Sequence, residues 1–467
     1  MAPGFRPAPG LALREMNDRI AALDHRHLWH PFTQQRGWVA EEPLVVERGE
    51  GTDLIAADGS RYIDGTSSLW CNVHGHRHPT IDGAIRDQLD RVAHSTMLGL
   101  THAPAAELAA RLVAIAPAGL ARVFYSDAGS TATEIALKMA FQYWRQQGGQ
   151  HARRTSFVGL ADGYHGDTIG AVSVGGIDLF HGAYEPLLFA KRSVPAGDAD
   201  ALDAVLDRHG EEVAAVIVEP LVQGAGGIIV QPPGYLRRVR ELCDAHDVLL
   251  ICDEVATGFG RTGTMFACER EAVAPDLLCL GKGLTNGYMP LAATLTTERI
   301  YEGFLGEPEE LRTFFHGHTF TGNPLACAAA IASLEVFERE RTLDRLQPKI
   351  ERFGELLASV AAMDEVAEVR SCGFLAGIDL GEHDPALRLG HRVTLEARRR
   401  GAMVRPLGDT IVLVPPLAIS KRDLGRLVAI TAASIREAIA GAYPSGATEE
   451  LRVTRTGPPP RTSRAAA

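Results

Sequence analysis

The chain has 467 residues, of which 46% are hydrophobic and 22% charged, which is enough sequence for a large core and an ordinary composition for a globular protein. The formal net charge of −11 argues against a nucleic acid or an anionic membrane as partner, because both select a basic surface. The seven scattered cysteines, with no CxxC pair, predict reduced thiols and a cytoplasmic location.

Changes in composition divide the chain into five predicted parts. Residues 1–14 are rich in proline and glycine, have no signal-peptide pattern and predict a poorly ordered tail. The strand-and-turn segment 15–70 is expected to join a small domain, and 71–335 to form a large domain. Residues 336–442 predict the rest of the small α+β domain, and 443–467, with a triple proline, predict a second poorly ordered tail. No apolar run approaches the roughly 20 residues of a membrane span.

In the large domain, short apolar segments alternate with helical ones such as 132–144 and 234–246. This alternation predicts an α/β fold with a mostly parallel sheet flanked by helices. The strand candidates are apolar throughout, as strands buried on both faces should be. They are 123–125, 157–160, 215–218, 248–252 and 277–280.

The residues just past these strands are the first candidates for a functional site, because ligands of open parallel sheets bind at the carboxyl ends of the strands. They are the turn Gly129–Ser130, Tyr164, Glu219, Asp253 and Lys282. Each has an ordinary structural explanation as a helix cap, an ion pair or a lysine that extends to water. The glycines on either side of Lys282 weaken that explanation, since they let another group approach closely.

Together these residues suit one cofactor. The turn at 129–130 opens into a helix, where Thr131 and Glu134 have capping-box spacing and free N–H groups could cradle a phosphate. The Asp253 carboxylate suits a protonated ring nitrogen, and a buried Lys282 amine can form a Schiff base with an aldehyde. Pyridoxal 5′-phosphate (PLP) has a phosphate, a ring nitrogen and an aldehyde, so the set predicts a PLP site.

Two further patterns do not predict a site. Residues 258–263 match GxGxxG, but Asp253 and Glu254 stand between this loop and its strand and would repel a pyrophosphate. Five histidines lie in two clusters without a carboxylate or cysteine partner at zinc spacing, so no metal is predicted. They are His74, His76, His78, His316 and His318.

The chain resembles the class III aminotransferases of PLP fold type I over roughly residues 25–440. The ordered motifs that carry the resemblance are SDAGSTATEIALKMAFQYW (126–144), DGYHGDTIGAVSVGG (162–176), VIVEPLVQGAGG (216–227), ICDEVATGFGRTG (251–263), LCLGKGLTNG (278–287) and HGHTFTGNPLACAAA (316–330). The resemblance implies that Lys282 is the Schiff-base lysine and that Asp253 is the partner of the pyridine nitrogen. It also implies a phosphate loop at Gly129 and Ser130, and Tyr164 stacked on the ring and touching substrate. His318 and Thr319 resemble the pair that reaches the phosphate from the second subunit of a homodimer.

Within this class, four further segments resemble the 7,8-diaminopelargonic acid synthase family of biotin biosynthesis: HLWHPFTQ (27–34), SSLWCNVHGHRHP (67–79), AHSTMLGLTHAPA (93–105) and VRPLGDTIVLVPP (404–416). That family converts 8-amino-7-oxononanoate to 7,8-diaminononanoate, usually with S-adenosylmethionine as amino donor. The resemblance implies that Gly317 and Trp70 contact substrate and that Arg405 binds its carboxylate.

Two positions depart from the usual pattern of that family. Leu69 stands where a tandem tryptophan is usual, and Phe32 stands where a tyrosine is usual. Both belong to the wall that holds the amino substrates, so lysine is an alternative donor. Another class III enzyme, acting on ornithine, 4-aminobutyrate or a similar amine, is the nearest alternative function, and a non-catalytic binding protein is a more distant one.

Overall fold

The computed structural model describes residues 11–443, with side chains from residue 16 onward. Helix α1 begins at Leu11, so residues 11–14 are helical and not part of the tail that was expected through residue 14. Residues 1–10 and 444–467 of the two predicted tails lie outside the described residues. Tyr443, at the boundary of the second tail, is described, and its hydroxyl lies 2.9 Å from Nδ1 of His383.

The described part of the chain contains fifteen α-helices and seventeen strands. The helices are α1 (Leu11–His27), α2 (Gln35–Trp38), α3 (Ser67–Trp70), α4 (Pro79–Leu89), α5 (Ala103–Ile115), α6 (Gly129–Gln147), α7 (Ile169–Val174), α8 (Asp178–His181), α9 (Ala199–His209), α10 (Tyr235–Ala245), α11 (Glu298–Glu302), α12 (Pro324–Arg339), α13 (Thr342–Ala361), α14 (Leu389–Arg399) and α15 (Lys421–Ala442). The strands are β1 (Val46–Glu50), β2 (Asp53–Ala56), β3 (Arg61–Asp64), β4 (Leu120–Ser126), β5 (Ser156–Leu160), β6 (Arg192–Val194), β7 (Val213–Val218), β8 (Val222–Gln223), β9 (Ile229–Val230), β10 (Leu249–Asp253), β11 (Leu277–Leu280), β12 (Ala292–Thr297), β13 (Glu368–Cys372), β14 (Leu375–Asp379), β15 (Ala402–Met403), β16 (Arg405–Leu407) and β17 (Thr410–Leu413).

The central sheet has seven strands in the order β4-β12-β11-β10-β7-β5-β6. β12 runs antiparallel to both of its neighbours, and the other strands are parallel to one another. The expected α/β fold with a mostly parallel sheet is therefore confirmed. All five predicted strands belong to this sheet, and their carboxyl ends meet at one edge.

Both faces of the sheet are covered, and alternate residues of each strand serve different cores. In β10, Leu249 and Ile251 pack with α6, whereas Leu250 and Cys252 pack with α10 on the other face. This two-residue period is the geometry of an extended strand. A strand covered on both sides must be apolar throughout, which explains why the predicted strands read as continuous hydrophobic runs.

The C-terminal region forms an antiparallel sheet in the order β13-β14-β17-β16. The N-terminal strands β1, β2 and β3 form another sheet, to which β15 adds in parallel by pairing Met403 with Asp64. The N-terminal segment is thus tied to the C-terminal region by backbone hydrogen bonds, while the domain boundaries remain a prediction. Among the described helices, none is long and apolar enough to cross a membrane.

Candidate active site

The edge of the central sheet brings the predicted acidic residues and the lysine together. Asp253 is the last residue of β10, Glu219 follows β7 directly, and Lys282 begins a short 3-10 helix after β11. β10 lies between β7 and β11, so these three side chains come from adjacent strands. The parallel arrangement of the strands is what places them at one edge.

Asp253 is held in a buried hydrogen-bond network. It is only 4% exposed, and its Oδ2 lies 2.8 Å from Nδ1 of His165, while its Oδ1 accepts from the backbone N–H of Val255 at 3.1 Å. The other ring nitrogen of His165 is buried without a hydrogen-bond partner among the described residues. His165 therefore orients the carboxylate. It was not singled out from the sequence, although it lies next to Tyr164 in the same motif.

Lys282 has an amine without a hydrogen-bond or ion-pair partner in residues 16–443. Burial lowers its pKa below the usual value, and the nearby Asp253 and Glu219 carboxylates oppose that shift. The Nζ atom lies 5.0 Å from the centre of the Trp70 ring. A lysine whose burial depresses its pKa is neutral for a larger fraction of the time, which is the form that attacks a carbonyl carbon.

Glu219 is a buried carboxyl group whose role the sequence did not indicate beyond its position after a strand. Its Oε1 accepts from the N–H of Tyr164 at 3.0 Å, and its Oε2 from the N–H of Gly224 at 2.9 Å. Burial raises its pKa to about 7, with the Asp253 charge acting in the same direction. Glu219 therefore connects the Tyr164 loop to the loop at Gly224.

The N-terminus of α6 packs against the segments that follow β10 and β11, next to Lys282. A side chain at Gly129 would come within 2.5 Å of Val255, and one at Gly166 would collide with Ser130. The hydroxyl of Ser130 lies 2.8 Å from that of Thr168 and accepts from the Thr168 N–H at 2.9 Å. Glycine is therefore required for this close packing, and the first turn of α6 has no side-chain cap, so its backbone N–H groups and positive dipole are available to an anion.

The expected capping box at Thr131 and Glu134 is wrong. The helix begins at Gly129, with Ala128 as the preceding residue, and the Thr131 hydroxyl accepts from the Ala128 N–H at 3.1 Å. Glu134 instead accepts from the Thr168 hydroxyl at 2.7 Å. Because alanine has no side-chain acceptor, no side chain of the cap residue occupies the N–H groups of the first turn.

A cluster of aromatic side chains extends from Tyr164 to the N-terminal segment. The Tyr164 hydroxyl donates to Asp167 at 2.8 Å, and burial, the hydrogen bond to Asp167 and neighbouring carboxylates raise its pKa, so the phenol stays protonated. The Phe180 ring packs edge-on, with its centre 6.3 Å from Tyr164 and 5.3 Å from Phe32. Phe32 is 58% exposed and has a positive φ of 51°. These rings form an apolar wall with one exposed end.

Arg405 stands on the antiparallel sheet of the C-terminal region at the start of β16. It is partly buried, and this burial lowers its pKa, while the nearby Tyr164 phenol partly opposes the shift. No carboxylate within the described ranges forms a salt bridge with it. A partly desolvated guanidinium without a protein anion can bind the carboxylate of a ligand.

Leu69 and Trp70 lie on α3, which is a left-handed turn, unlike the other described helices. The four residues from Ser67 to Trp70 all have positive φ, between 48° and 74°. Such a left-handed turn costs roughly 1–2 kcal/mol for each residue other than glycine. Leu69 is 51% exposed and Trp70 only 6%, with the Trp70 ring packed on Gly224 and facing Lys282.

Gly317, His318 and Thr319 lie on the segment between α11 and α12. Hydrogen bonds in the described structure do not join them to Asp253, Lys282 or Ser130, and Thr319 is exposed. Both ring nitrogens of His318 lack partners in the described chain. The resemblance implies that His318 and Thr319 act on a neighbouring subunit and that Gly317 contacts substrate, and these roles stay predictions.

The histidines near residues 74–78 are engaged in other contacts. His74 Nε2 lies 3.0 Å from the Ser333 carbonyl, His76 Nε2 lies 3.0 Å from Asp64, and His78 Nε2 lies 3.1 Å from Glu340. In the GxGxxG loop, Arg261 is fully buried and donates to three backbone carbonyls. These contacts give both patterns a structural explanation.

The comparisons with known proteins decide the family. The class III aminotransferase family matches residues 35–435. The chain belongs to the class III aminotransferases. It is 58% identical to an adenosylmethionine-8-amino-7-oxononanoate aminotransferase of Nitratidesulfovibrio vulgaris, over 88% of this chain and 80% of that protein. A protein of the same name from Geobacter sulfurreducens is 51% identical over 87% of this chain and 94% of the relative.

Solved structures agree with this assignment. The crystal structure of the Methanocaldococcus jannaschii protein of that name superimposes with a TM-score of 0.88 at 43% identity, covering 90% of this chain and 99% of the other. An amine transaminase from an uncultivated Pseudomonas species, solved in a PLP-bound form, has a TM-score of 0.81 at 37% identity, covering 88% of this chain and 98% of the other. The expected PLP fold type I architecture is confirmed.

The residues of this class III aminotransferase fit PLP, the cofactor that the sequence predicted and the family confirms. The open end of α6 at Gly129 and Ser130 suits the phosphate, the buried Asp253 suits the ring nitrogen, and Lys282 suits the aldehyde. Tyr164 offers a ring beside them. The unpartnered Lys282 amine and the uncapped helix end are the observations that carry this fit.

Proposed function

We propose that this chain transfers an amino group to the 7-keto group of 8-amino-7-oxononanoate and so produces 7,8-diaminononanoate in biotin biosynthesis. The observation that carries the proposal is the 58% and 51% identity, over most of both chains, to proteins with the name adenosylmethionine-8-amino-7-oxononanoate aminotransferase. Class III enzymes that act on different substrates are expected to differ in the residues around Lys282. In this chain those residues support the same acceptor.

The chain's own residues supply binding, orientation and proton transfer. When bound, PLP supplies an aldehyde that takes up the amino group and a ring that accepts the electron pair left behind by a departing proton. The Asp253 carboxylate, oriented by His165, would hold the ring nitrogen in its protonated form. The Lys282 amine would hold the aldehyde, and in its neutral form it would move the proton at the reacting carbon of the substrate. The reaction then runs in two halves, first with the donor and then with the acceptor.

The acceptor is a long apolar chain with a terminal carboxylate, and the residues around Lys282 offer a matching pair of features. Arg405 is a partly desolvated guanidinium near Tyr164 and suits the carboxylate. Phe32, Phe180 and Tyr164 form an apolar wall that suits the methylene chain. Trp70 lies against Lys282 and suits the end that reacts. We include Gly317 in the substrate site as a backbone contact.

For the amino donor we propose S-adenosylmethionine. The names of the relatives begin with adenosylmethionine, and the exposed face of Phe32 can stack on an adenine ring. Lysine is the second candidate, because Leu69 is a smaller and less planar group than the tandem tryptophan usual at this position.

We also propose a homodimer that works in the cytoplasm. The segment that contains His318 and Thr319 carries large exposed apolar side chains, with Phe315 76% and Leu311 71% exposed. Apolar groups of that size near a cofactor-contact residue suit a subunit interface. All seven cysteines are described and none forms a disulfide, in keeping with a reducing compartment.

Another class III ω-aminotransferase remains the second candidate. It is favoured by structural similarity to amine transaminases, one of which has 37% identity to this chain. A comparison of amino donors and acceptors distinguishes the two functions. We expect the purified PLP enzyme to form 7,8-diaminononanoate from 8-amino-7-oxononanoate with S-adenosylmethionine, and to be slower or inactive with lysine. Turnover of ornithine or 4-aminobutyrate, with no diamine from either donor, would contradict the proposal.

A further inference from the structure

The turn that carries Leu69 and Trp70 is a complete left-handed helical turn without glycine. The φ angles of Ser67, Ser68, Leu69 and Trp70 are 49°, 48°, 74° and 69°. The N–H of Trp70 donates to the Thr66 carbonyl at 2.7 Å, and the N–H of Cys71 to the Ser67 carbonyl at 3.0 Å. L-residues disfavour this hand, so surrounding contacts must impose it, and such strain collects at functional sites.

Asp64 provides the first of these contacts. It is the last residue of β3 and is fully buried. Its Oδ1 accepts from the backbone N–H of Ser68 at 2.9 Å, and its Oδ2 accepts from the Ser68 hydroxyl at 2.8 Å. His76 Nε2 lies 3.0 Å from the same Oδ2 and holds the carboxylate from the other side. One carboxylate thus accepts hydrogen bonds from both the backbone and the side chain of the second residue of the turn.

Arg261 holds the C-terminal end of the turn, and Val414 holds its first residue. Arg261 Nη2 donates to the carbonyls of Trp70 at 3.3 Å and Asn72 at 2.8 Å. The Ser67 hydroxyl donates to the Val414 carbonyl at 2.6 Å, directly after β17. β17 pairs with β16, on which Arg405 stands. The turn and the proposed carboxylate-binding arginine therefore belong to one hydrogen-bonded framework.

The hand of the turn decides where its side chains point. In the observed hand, Trp70 is buried with its ring 5.0 Å from the Lys282 amine, and Leu69 stays half exposed beside it. Reversing the sign of φ at Ser68 would redirect the backbone at both following residues. We propose that Asp64 is a positioning residue for amino-substrate recognition, which holds the 67–70 turn left-handed and so fixes the Trp70 ring against Lys282 and the exposed Leu69 next to it. This rests on the proposed function only for the identity of the substrates.

Substitutions at Ser68 separate the hand of the turn from the loss of a hydrogen bond. Ser68→Ala and Ser68→Gly both remove the hydroxyl that binds Asp64, but only glycine adopts positive φ without a steric penalty. We expect Ser68→Ala to raise the KM for the amino substrates about tenfold, as expected for a lost hydrogen bond to a charged group. Ser68→Gly should recover much of that loss. Ser359→Ala, which removes an exposed serine hydrogen bond on α13, is the matched control.

Asp64→Asn tests the positioning residue itself. We expect KM to rise about tenfold or more while kcat stays within about threefold, because the turn positions substrate and does not transfer protons. The dissociation constant of the PLP enzyme for the acceptor, measured by calorimetry, should rise with KM. If Asp64→Asn does not fold, the two Ser68 variants decide the question.

Two results would overturn the inference. One is an unchanged KM and dissociation constant in Asp64→Asn and Ser68→Ala. The other is an equal loss in Ser68→Ala and Ser68→Gly, which would make the hand of the turn irrelevant. The KM values are measured with whichever amino substrate the wild-type enzyme accepts. Failure of 8-amino-7-oxononanoate as acceptor would therefore refute the proposed function without deciding this inference.

Discussion

Replacing Arg405 with alanine is expected to weaken use of the acceptor selectively. Arg405 has no carboxylate partner in the described chain, so its guanidinium is available for a substrate carboxylate. Hydrogen bonds to charged groups contribute about 1.5–3 kcal/mol, which corresponds to roughly ten- to a hundredfold in kcat/KM. Since Arg405 is only partly buried, solvent screening places the expected loss nearer tenfold.

The two half-reactions are measured separately in single turnover, with the cofactor's absorbance as the signal. We expect Arg405→Ala to slow the acceptor half and to affect the donor half less. Arg405→Lys should give an intermediate loss, because lysine keeps the charge but cannot bind both carboxylate oxygens in a planar pair. Arg399→Ala is the control, since Arg399 is exposed and paired with Glu396. Unchanged acceptor kinetics in Arg405→Ala would refute the role of this residue.

Four further outcomes are expected. Lys282→Ala should lower kcat by at least the factor of about 10²–10⁴ that positioned proton transfer provides. The variant should keep the fold and bind PLP through its phosphate, and near-wild-type turnover would be incompatible with this role. Asp253→Asn should lower kcat by about ten- to a hundredfold and reduce PLP affinity less, and normal activity after resaturation with PLP would make Asp253 structural. If Thr319 acts across a homodimer interface, co-expressed Lys282→Ala and Thr319→Ala subunits should form mixed dimers that have one intact site and recover activity. An active monomer in light scattering would exclude this arrangement. Burial lowers the pKa of His74 from 6.5 to about 3, so the unfolded state takes up a proton at pH 5 that the folded state refuses. The contribution of His74 to the free energy of unfolding should therefore be fully present above pH 6.5 and fall by about 2 kcal/mol at pH 5. In urea unfolding, His74→Gln should reduce this loss.

The sequence predicted the central strands well because their burial on both faces leaves a plain signal. The strands it missed carry weaker patterns. β6 has only three residues, and β12, the antiparallel strand, contains three threonines in Ala292–Thr297. The edge on which Asp253 and Lys282 meet was predicted from the carboxyl ends of the strands alone. The start of α6 did not, because a helix that begins at an uncapped glycine resembles a loop until the cap position is seen.

The left-handed turn at Ser67–Trp70 lay beyond sequence reasoning. None of its residues is a glycine, the residue type that would have predicted positive φ. Two of the contacts that hold it come from Arg261 and Val414, which are 191 and 347 residues away from their partners in the chain. The same holds for His165, whose contact with Asp253 spans 88 residues. Local patterns predict which residues meet at strand ends, whereas contacts between distant segments decide how their side chains are held.

The most direct test of the proposed function is a single turnover of the enzyme loaded with the amino form of the cofactor. In this state the identity of the donor has no influence, so only the acceptor is tested. The loaded enzyme is mixed separately with 8-amino-7-oxononanoate, succinic semialdehyde and glutamate semialdehyde, and the products are measured by mass spectrometry. We expect stoichiometric 7,8-diaminononanoate from the first acceptor and little amino transfer to the other two. Amino transfer to either semialdehyde, with no diamine from 8-amino-7-oxononanoate, would contradict the proposed function.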